Sequence, residues 1–216
     1  MKKVILTLGF SLFGASAFAD PPVYTDLGSI FDTNPAYQTA DKSVDFANGI
    51  SAASVLWFKF TFDGTSATSH YLDIDTINAT GTAPTATPVD TELGLYDSLG
   101  NLVATDDDDG FGLFSRLTFG TTTPTRQFTQ TGALSARIAA DGSDGTLASG
   151  TYWLALGQFD TTFGATGFTV TSIGGGDADP FRLEFRTDVP SAVPEPASFA
   201  ILGLGASALI RRRKKK

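Results

Sequence analysis

Asp106-Asp107-Asp108-Asp109-Gly110 sets four carboxylates in consecutive positions, and adjacent like charges repel unless a cation or solvent neutralises them. A hard cation such as Ca²⁺ takes about six to eight oxygen ligands, which an acidic loop at the end of a strand supplies. The run is not an EF-hand, because a D-x-D-x-D-G register ending at Gly110 would begin at Thr105 and put Arg116 where the closing Glu is required. The alternative reading is a solvated acidic turn that keeps the surface soluble. Asp141-Gly142-Ser143-Asp144-Gly145 and Asp177-Ala178-Asp179-Pro180 have the composition of plain turns, with ion binding the secondary option. His70 is the only histidine, which excludes a two-histidine metal site, and no G-x-S-x-G elbow surrounds any serine. No Asp has an apolar surround that would mark it as a raised-pKa acid. The chain therefore reads as non-catalytic. Trp57 and Trp153, with Tyr71 and Tyr96, are candidates for stacking on sugar rings if they stand on an open sheet face. The alternative is that they fill the second face of a strand against another layer.

The elements that would position these groups lie between two ends of different composition. Eight of the 15 Lys and Arg are Lys2, Lys3 and the final Arg211 to Lys216, so seven remain against 23 Asp and Glu, a balance of −16 between Asp20 and Glu195. Such a surface lacks the cations needed to track phosphates, which argues against nucleic acid as a partner. Cysteine is absent, so neither disulfides nor thiolate metal sites contribute.

At the start, Lys2 and Lys3 precede the apolar run Val4 to Phe13 and the small-residue pattern Ala17-Phe18-Ala19. That order predicts a signal helix over residues 1–19, cleaved by signal peptidase to leave Asp20 first. At the far end Val193-Pro194-Glu195-Pro196 is followed by an apolar stretch from Ala197 to Ile210 and six basic residues. As a helix this stretch is roughly 21 Å long, a short transmembrane segment whose basic cluster stays cytoplasmic. The proline motif, the short Gly- and Ala-rich helix and the basic cluster, in that order, resemble the PEP-CTERM sorting signal. The resemblance implies that Pro194, Glu195 and Pro196 form the recognition motif for an exosortase. It also implies export across the inner membrane of a Gram-negative bacterium, transient anchoring by the C-terminal helix, and a final place at the cell surface or outside the cell.

Between the ends, short alternating segments separated by Gly, Asp, Asn and Thr clusters predict an all-β, two-sheet antiparallel sandwich of jelly-roll type over 55–188. Residues 20–54 read as an irregular arm, 189–192 as a linker and 193–216 as the sorting tail. Strands are expected at Val55 to Phe62, Tyr71 to Ile74, Glu92 to Tyr96, Leu102 to Thr105, Arg116 to Phe119, Leu134 to Ile138, Tyr152 to Gln158, Phe168 to Ile173 and Phe181 to Phe185. In the last of these Arg182, Glu184 and Arg186 should form a wet face. The core is expected to hold Leu56, Phe58, Phe60, Leu154, Leu156, Leu183 and Phe185, with Thr80 to Thr91 and Gly120 to Thr131 as exposed loops.

Asp90-Thr91-Glu92-Leu93-Gly94-Leu95-Tyr96-Asp97, then Gly100-Asn101-Leu102, the Asp run, Ser115-Arg116-Leu117 and Gly150-Thr151-Tyr152-Trp153 resemble the bacterial pre-peptidase C-terminal domain. That family is a small calcium-binding β-sandwich of exported proteins. By that resemblance Asp90, Asp107 and Asp109 are the first choices as Ca²⁺ ligands, with Asp106 and Asp108 facing solvent. The expected function is a non-catalytic surface or matrix protein that meets exopolysaccharide in a biofilm. A carbohydrate-binding module is the second reading and a secreted hydrolase the third.

Overall fold

A computed structural model describes residues 21, 23–33, 40–66, 70–79, 89–110, 112–122, 126–127 and 139–191. The expected signal helix, the tail helix and the Leu134 to Ile138 strand lie outside them. The described strands are β1 (Thr25–Ile30), β2 (Lys42–Phe46), β3 (Leu56–Phe62), β4 (Tyr71–Asn78), β5 (Thr91–Tyr96), β6 (Leu102–Asp106), β7 (Arg116–Gly120), β8 (Arg126–Gln127), β9 (Ala139–Ala140), β10 (Gly150–Gln158), β11 (Thr161–Phe163), β12 (Val170–Ser172) and β13 (Phe181–Thr187). One sheet runs β1-β3-β10-β5-β6 and the other β2-β13-β4-β7, with β8-β9 and β11-β12 as small separate ladders.

Alternation in the sequence explains why these two sheets face each other. Phe58, Phe60 and Phe62 of β3 and Leu154 and Leu156 of β10 project inward to meet Leu72, Ile74, Leu117, Leu183 and Phe185 of the opposite sheet. Aromatic contacts cross the gap: the rings of Phe60 and Phe185 are 5.2 Å apart, and those of Phe46 and Phe58 6.1 Å. Burying such a side chain stabilises by about 1.5–3 kcal/mol, so phenylalanine carries much of the core. Leu56, at the strand start, is only partly buried against this cluster.

Three sequence expectations need correction. The arm is not irregular: β1 joins an edge of the first sheet and β2 an edge of the second, each contributing inward residues such as Leu27, Ile30 and Phe46. The pairing of β1 with β3 is parallel, so the first sheet is not wholly antiparallel. The outer face of β13 is not wet, because Glu184 and Arg186 are 4% and 3% exposed. Their neighbours across the sheet are ionisable as well, Glu184 standing opposite Asp75 and Arg186 opposite Asp73. Charges at such positions persist in a dry layer only when they pair.

The two ends of the domain are clasped together. Asp32 donates its N–H to the Val189 carbonyl at 2.7 Å and forms a parallel bridge with Pro190. Asp41 accepts from the Thr33 N–H, the Thr33 hydroxyl and the Thr187 N–H at 2.8, 3.0 and 2.8 Å. Asp41→Ala is therefore expected to lower stability by about 1–2 kcal/mol through the loss of several charge-assisted bonds, measured by urea unfolding. A loss below about 0.3 kcal/mol would show that the clasp contributes nothing.

Candidate metal centre

The Asp run follows β6, at the pole of the sandwich where β5 begins and β10 ends. A buried hydroxyl cluster fixes this pole. Thr76, Thr91 and Ser115, from β4, β5 and the entry to β7, share hydrogen bonds, with Thr76 Oγ1 and Thr91 Oγ1 2.6 Å apart and the Ser115 N–H donating to both. Thr91, expected at the end of an exposed loop, is instead fully buried. It can be buried because its hydroxyl is satisfied by Thr76 and Ser115 from the side of the opposite sheet. The flanking residues Asp90 and Glu92 are thereby pinned beside the Asp run.

Asp90, Asp107 and Asp108 bring one carboxylate oxygen each to within 4.8 Å of one another. Asp90 and Asp107 were chosen from the sequence. Asp108, not Asp109, lies with them in this grouping, and Asp106, expected to face solvent, is half-buried. Strand alternation stops at Asp106 and the chain bends through 107–110, so every-second-residue spacing no longer decides which side chains share a face. Asp106 Oδ2 accepts the Arg116 N–H at 2.6 Å and the Asp109 N–H at 3.3 Å, bracing the bend. Gly110 is required there, since a side chain on it would meet the Phe114 carbonyl oxygen at 2.2 Å.

Glu92 completes the acidic pole and was not singled out in the sequence, where it reads as a strand residue. It is 8% exposed, and its Oε2 accepts the Thr161 N–H at 3.0 Å. Burial, then the charge of Asp107, push its carboxyl up to about 7. Asp90 is pushed to about 6 by burial and by Asp108 and Asp107. Asp106 rises to about 7, chiefly by burial, against the lowering effect of the Arg116 N–H.

Carboxyls raised in the folded state favour their uncharged form, so their stabilising contribution is complete below the unfolded values of 3.8 and 4.5 and is lost as pH rises through about 6 to 7. In chelator the melting temperature is therefore expected to fall by several degrees between pH 5 and about 8. A flat profile over that window would mean that these charges are already neutralised.

The donor set suits a hard cation: every group is an oxygen, and the buried Oδ1 of Asp90 has no hydrogen-bond donor among the described residues. The other acidic turns are used differently. Asp144 takes the edge N–H of Thr118 on its Oδ2 at 2.6 Å and returns its own N–H to the Thr118 carbonyl, while Asp141 accepts the Thr118 hydroxyl at 2.9 Å. Asp177 closes on the Asp179 N–H at 2.8 Å and pairs with Ile50. The first finishes the β7 edge, and the second closes a turn held to Ile50 by an isolated bridge. His70 lies half-buried at the start of β4, its Nδ1 3.3 Å from Asp188 Oδ1.

Three of the candidate stacking rings, Trp57, Tyr96 and Trp153, lie on the outer face of the first sheet, and Tyr71 begins β4 of the second. Trp153 and Tyr96 are buried, 4% and 0% exposed, and Trp57 is half-buried. None is an open platform, because Phe163, Phe168 and Val170 of the β11-β12 segment pack over them. Tyr71 is 6% exposed.

Residues 192–214 match the PEP-CTERM protein-sorting motif. The chain thus carries the signal of an exported protein that an exosortase processes and that its C-terminal region holds in the membrane beforehand. Among the described residues no helix is long and apolar enough to cross a membrane. No curated protein sequence is significantly similar to the chain. Among solved structures the fold is similar to the pre-peptidase C-terminal domain of a collagenase from Bacillus anthracis. The identity is 10% and the TM-score 0.37, over 78% of this chain and 99% of that chain.

Proposed function

We propose that this is a non-catalytic surface or matrix protein, sorted by an exosortase and associated with extracellular polysaccharide, whose sandwich is stiffened by Ca²⁺ at Asp90, Asp107 and Asp108. The observation that carries the reading is the sorting motif, which starts one residue after the described sandwich ends at Ser191. The geometry of the domain supports an outward role for the acidic pole. β13 ends beside the start of β4, where the tail leaves, whereas Asp90 and the Asp run sit at the opposite end, beside Gln158 of β10. At about 3.3 Å per residue, a nine-residue strand separates the two poles by roughly 25–30 Å. Anchored by its tail, the protein presents the acidic pole away from the membrane. When bound, the cation supplies positive charge that relieves the local repulsion, and Asp90 Oδ1 gains a partner that the described residues do not supply.

The test is localisation of tagged protein with Glu195 intact and replaced by Ala. Wild type is expected in the surface or extracellular fraction in a shortened form, and Glu195→Ala as a full-length band in the inner membrane. Equal processing of both would remove the sorting motif from the account. Co-fractionation of the processed form with exopolysaccharide, lost after the polysaccharide is digested, checks the matrix association separately.

A further inference from the structure

The outer face of the first sheet has a depression with an unusual lining. Trp153 stands opposite Lys59 on β3 and Tyr96 on β5, and in the next row Ala155 lies between Trp57 and Gly94. Small residues at the centre and large rings at the rim leave a slot the size of one ring. The slot is filled by β11 and the turn that follows it: Phe163 sits where any side chain on Gly94 would be, at 2.2 Å. The Phe168 ring lies 5.9, 5.7 and 5.4 Å from those of Trp57, Tyr96 and Trp153.

Three observations set this apart from an ordinary satellite core. Phe168 holds a φ of +53°, a left-handed conformation that a bulky residue adopts only at an energetic cost. The segment that carries it is bounded by Asp160, at φ +67°, and by Gly174-Gly175-Gly176, with Gly176 at +81°. These are positions where a flap can pivot. The indole N–H of Trp153, a residue 4% exposed, has no acceptor among the described residues, although a buried donor ordinarily finds one. The remaining feature is charge. Lys59 lies between the Tyr24 and Trp153 rings, 5.6 and 5.3 Å from their centroids, with no carboxylate partner among the described residues. It is a cation beside an aromatic platform in a domain whose balance is strongly negative.

We propose that this face is a binding site for a uronic-acid-containing glycan, closed in this structure by Phe168. When the flap swings out, the apolar face of a pyranose ring takes the place of the Phe168 ring between Trp57 and Trp153. A sugar oxygen accepts the Trp153 indole N–H, and the uronate carboxylate pairs with Lys59. The assignment rests on the reading that the exported domain meets extracellular polysaccharide, and it names the site and the class of sugar.

The test is titration of the exported protein with hexagalacturonate, following emission of its two tryptophans, with cellohexaose as the neutral control. Wild type is expected to show a saturable change with hexagalacturonate and at least about tenfold weaker binding of cellohexaose. Phe168→Gly, which removes the plug and relieves the strained φ, should bind hexagalacturonate about tenfold more tightly, and Lys59→Gln about tenfold more weakly. If Phe168→Gly melts cooperatively yet neither it nor wild type responds up to about 10 mM, the proposal is overturned. Equal binding of the two hexasaccharides overturns the role of Lys59 and with it the uronate assignment. Should Phe168→Gly fail to fold, the wild-type titration decides alone: uronate-selective saturation supports the site and no response removes it. None of these outcomes alters the localisation result for Glu195→Ala, so failure here is distinguishable from failure of the sorting reading.

Discussion

Ca²⁺ at about 10 mM is expected to raise the melting temperature of the exported protein by about 5–10 °C over its value in chelator. Extracellular modules commonly bind Ca²⁺ with Kd values of about 10⁻⁴ to 10⁻³ M. A ligand that binds only the folded state at a hundredfold excess over Kd adds about 2.7 kcal/mol. For a domain of this size each kcal/mol shifts the midpoint by about 2–4 °C. Mg²⁺ should do less, because it requires near-octahedral geometry and gives up water reluctantly. The variants separate the arrangement seen in the structure from simple acidity. Asp107→Asn and Asp108→Asn each remove one of the three converging carboxylates and should abolish most of the Ca²⁺-dependent rise. Asp109→Asn, whose backbone braces Asp106, should keep most of it. A diffuse counterion effect would instead give the same modest loss for all three. Identical melting in chelator and in Ca²⁺ would leave the run as a solvated acidic turn.

That distinction between Asp108 and Asp109 marks how far the sequence could be read. Strands with one dominant face were legible: Phe58, Phe60 and Phe62 alternate with Lys59 and Thr61, and β3 follows with those faces. β1 and β2 were not, because Thr25–Ile30 and Lys42–Phe46 carry Gly, Ser and Asp and acquire strand character only by joining the edges of sheets formed elsewhere in the chain. Propensity is weakest as a guide at such edges. The location of the acidic pole was legible from local composition, but its internal arrangement depends on a bend after Asp106 and on Thr91 being held by residues 15 and 24 positions away. Glu92 was missed for the same reason: its burial comes from the later β11 segment, which donates the Thr161 N–H. The tryptophans illustrate the converse. Their place on the second face of the sheet followed from alternation, and only the path of residues 161–173 determines that they are covered.

The charged outer face of the second sheet gives the largest expected effect. Glu184 and Arg186 form an ion pair with side chains 5% and 4% exposed, and Arg182 approaches Glu184 from the wetter side at 3.7 Å. Removing one member of a buried pair leaves the other charge poorly compensated, which costs about 3–5 kcal/mol. Glu184→Ala is therefore expected to lower the midpoint by about 6–20 °C. Asp75 stands opposite Glu184 on the same face, yet its substitution should behave in the opposite way. Burial raises its carboxyl well above the usual range, and the neighbouring Glu184 charge adds to this, against the lowering influence of Arg186 and Arg116. Folding thus favours its neutral form, and its contribution is complete below an unfolded value near 3.8 and is lost as pH rises. Asp75→Asn keeps a neutral side chain of the same shape and removes the titration. It should change stability by less than about 1 kcal/mol near pH 5 and become the more stable form as pH rises towards 8, in thermal melts run across that window. A loss as large as that of Glu184→Ala at every pH would instead make Asp75 an ionised partner of the arginines, and the two carboxylates would then share one role.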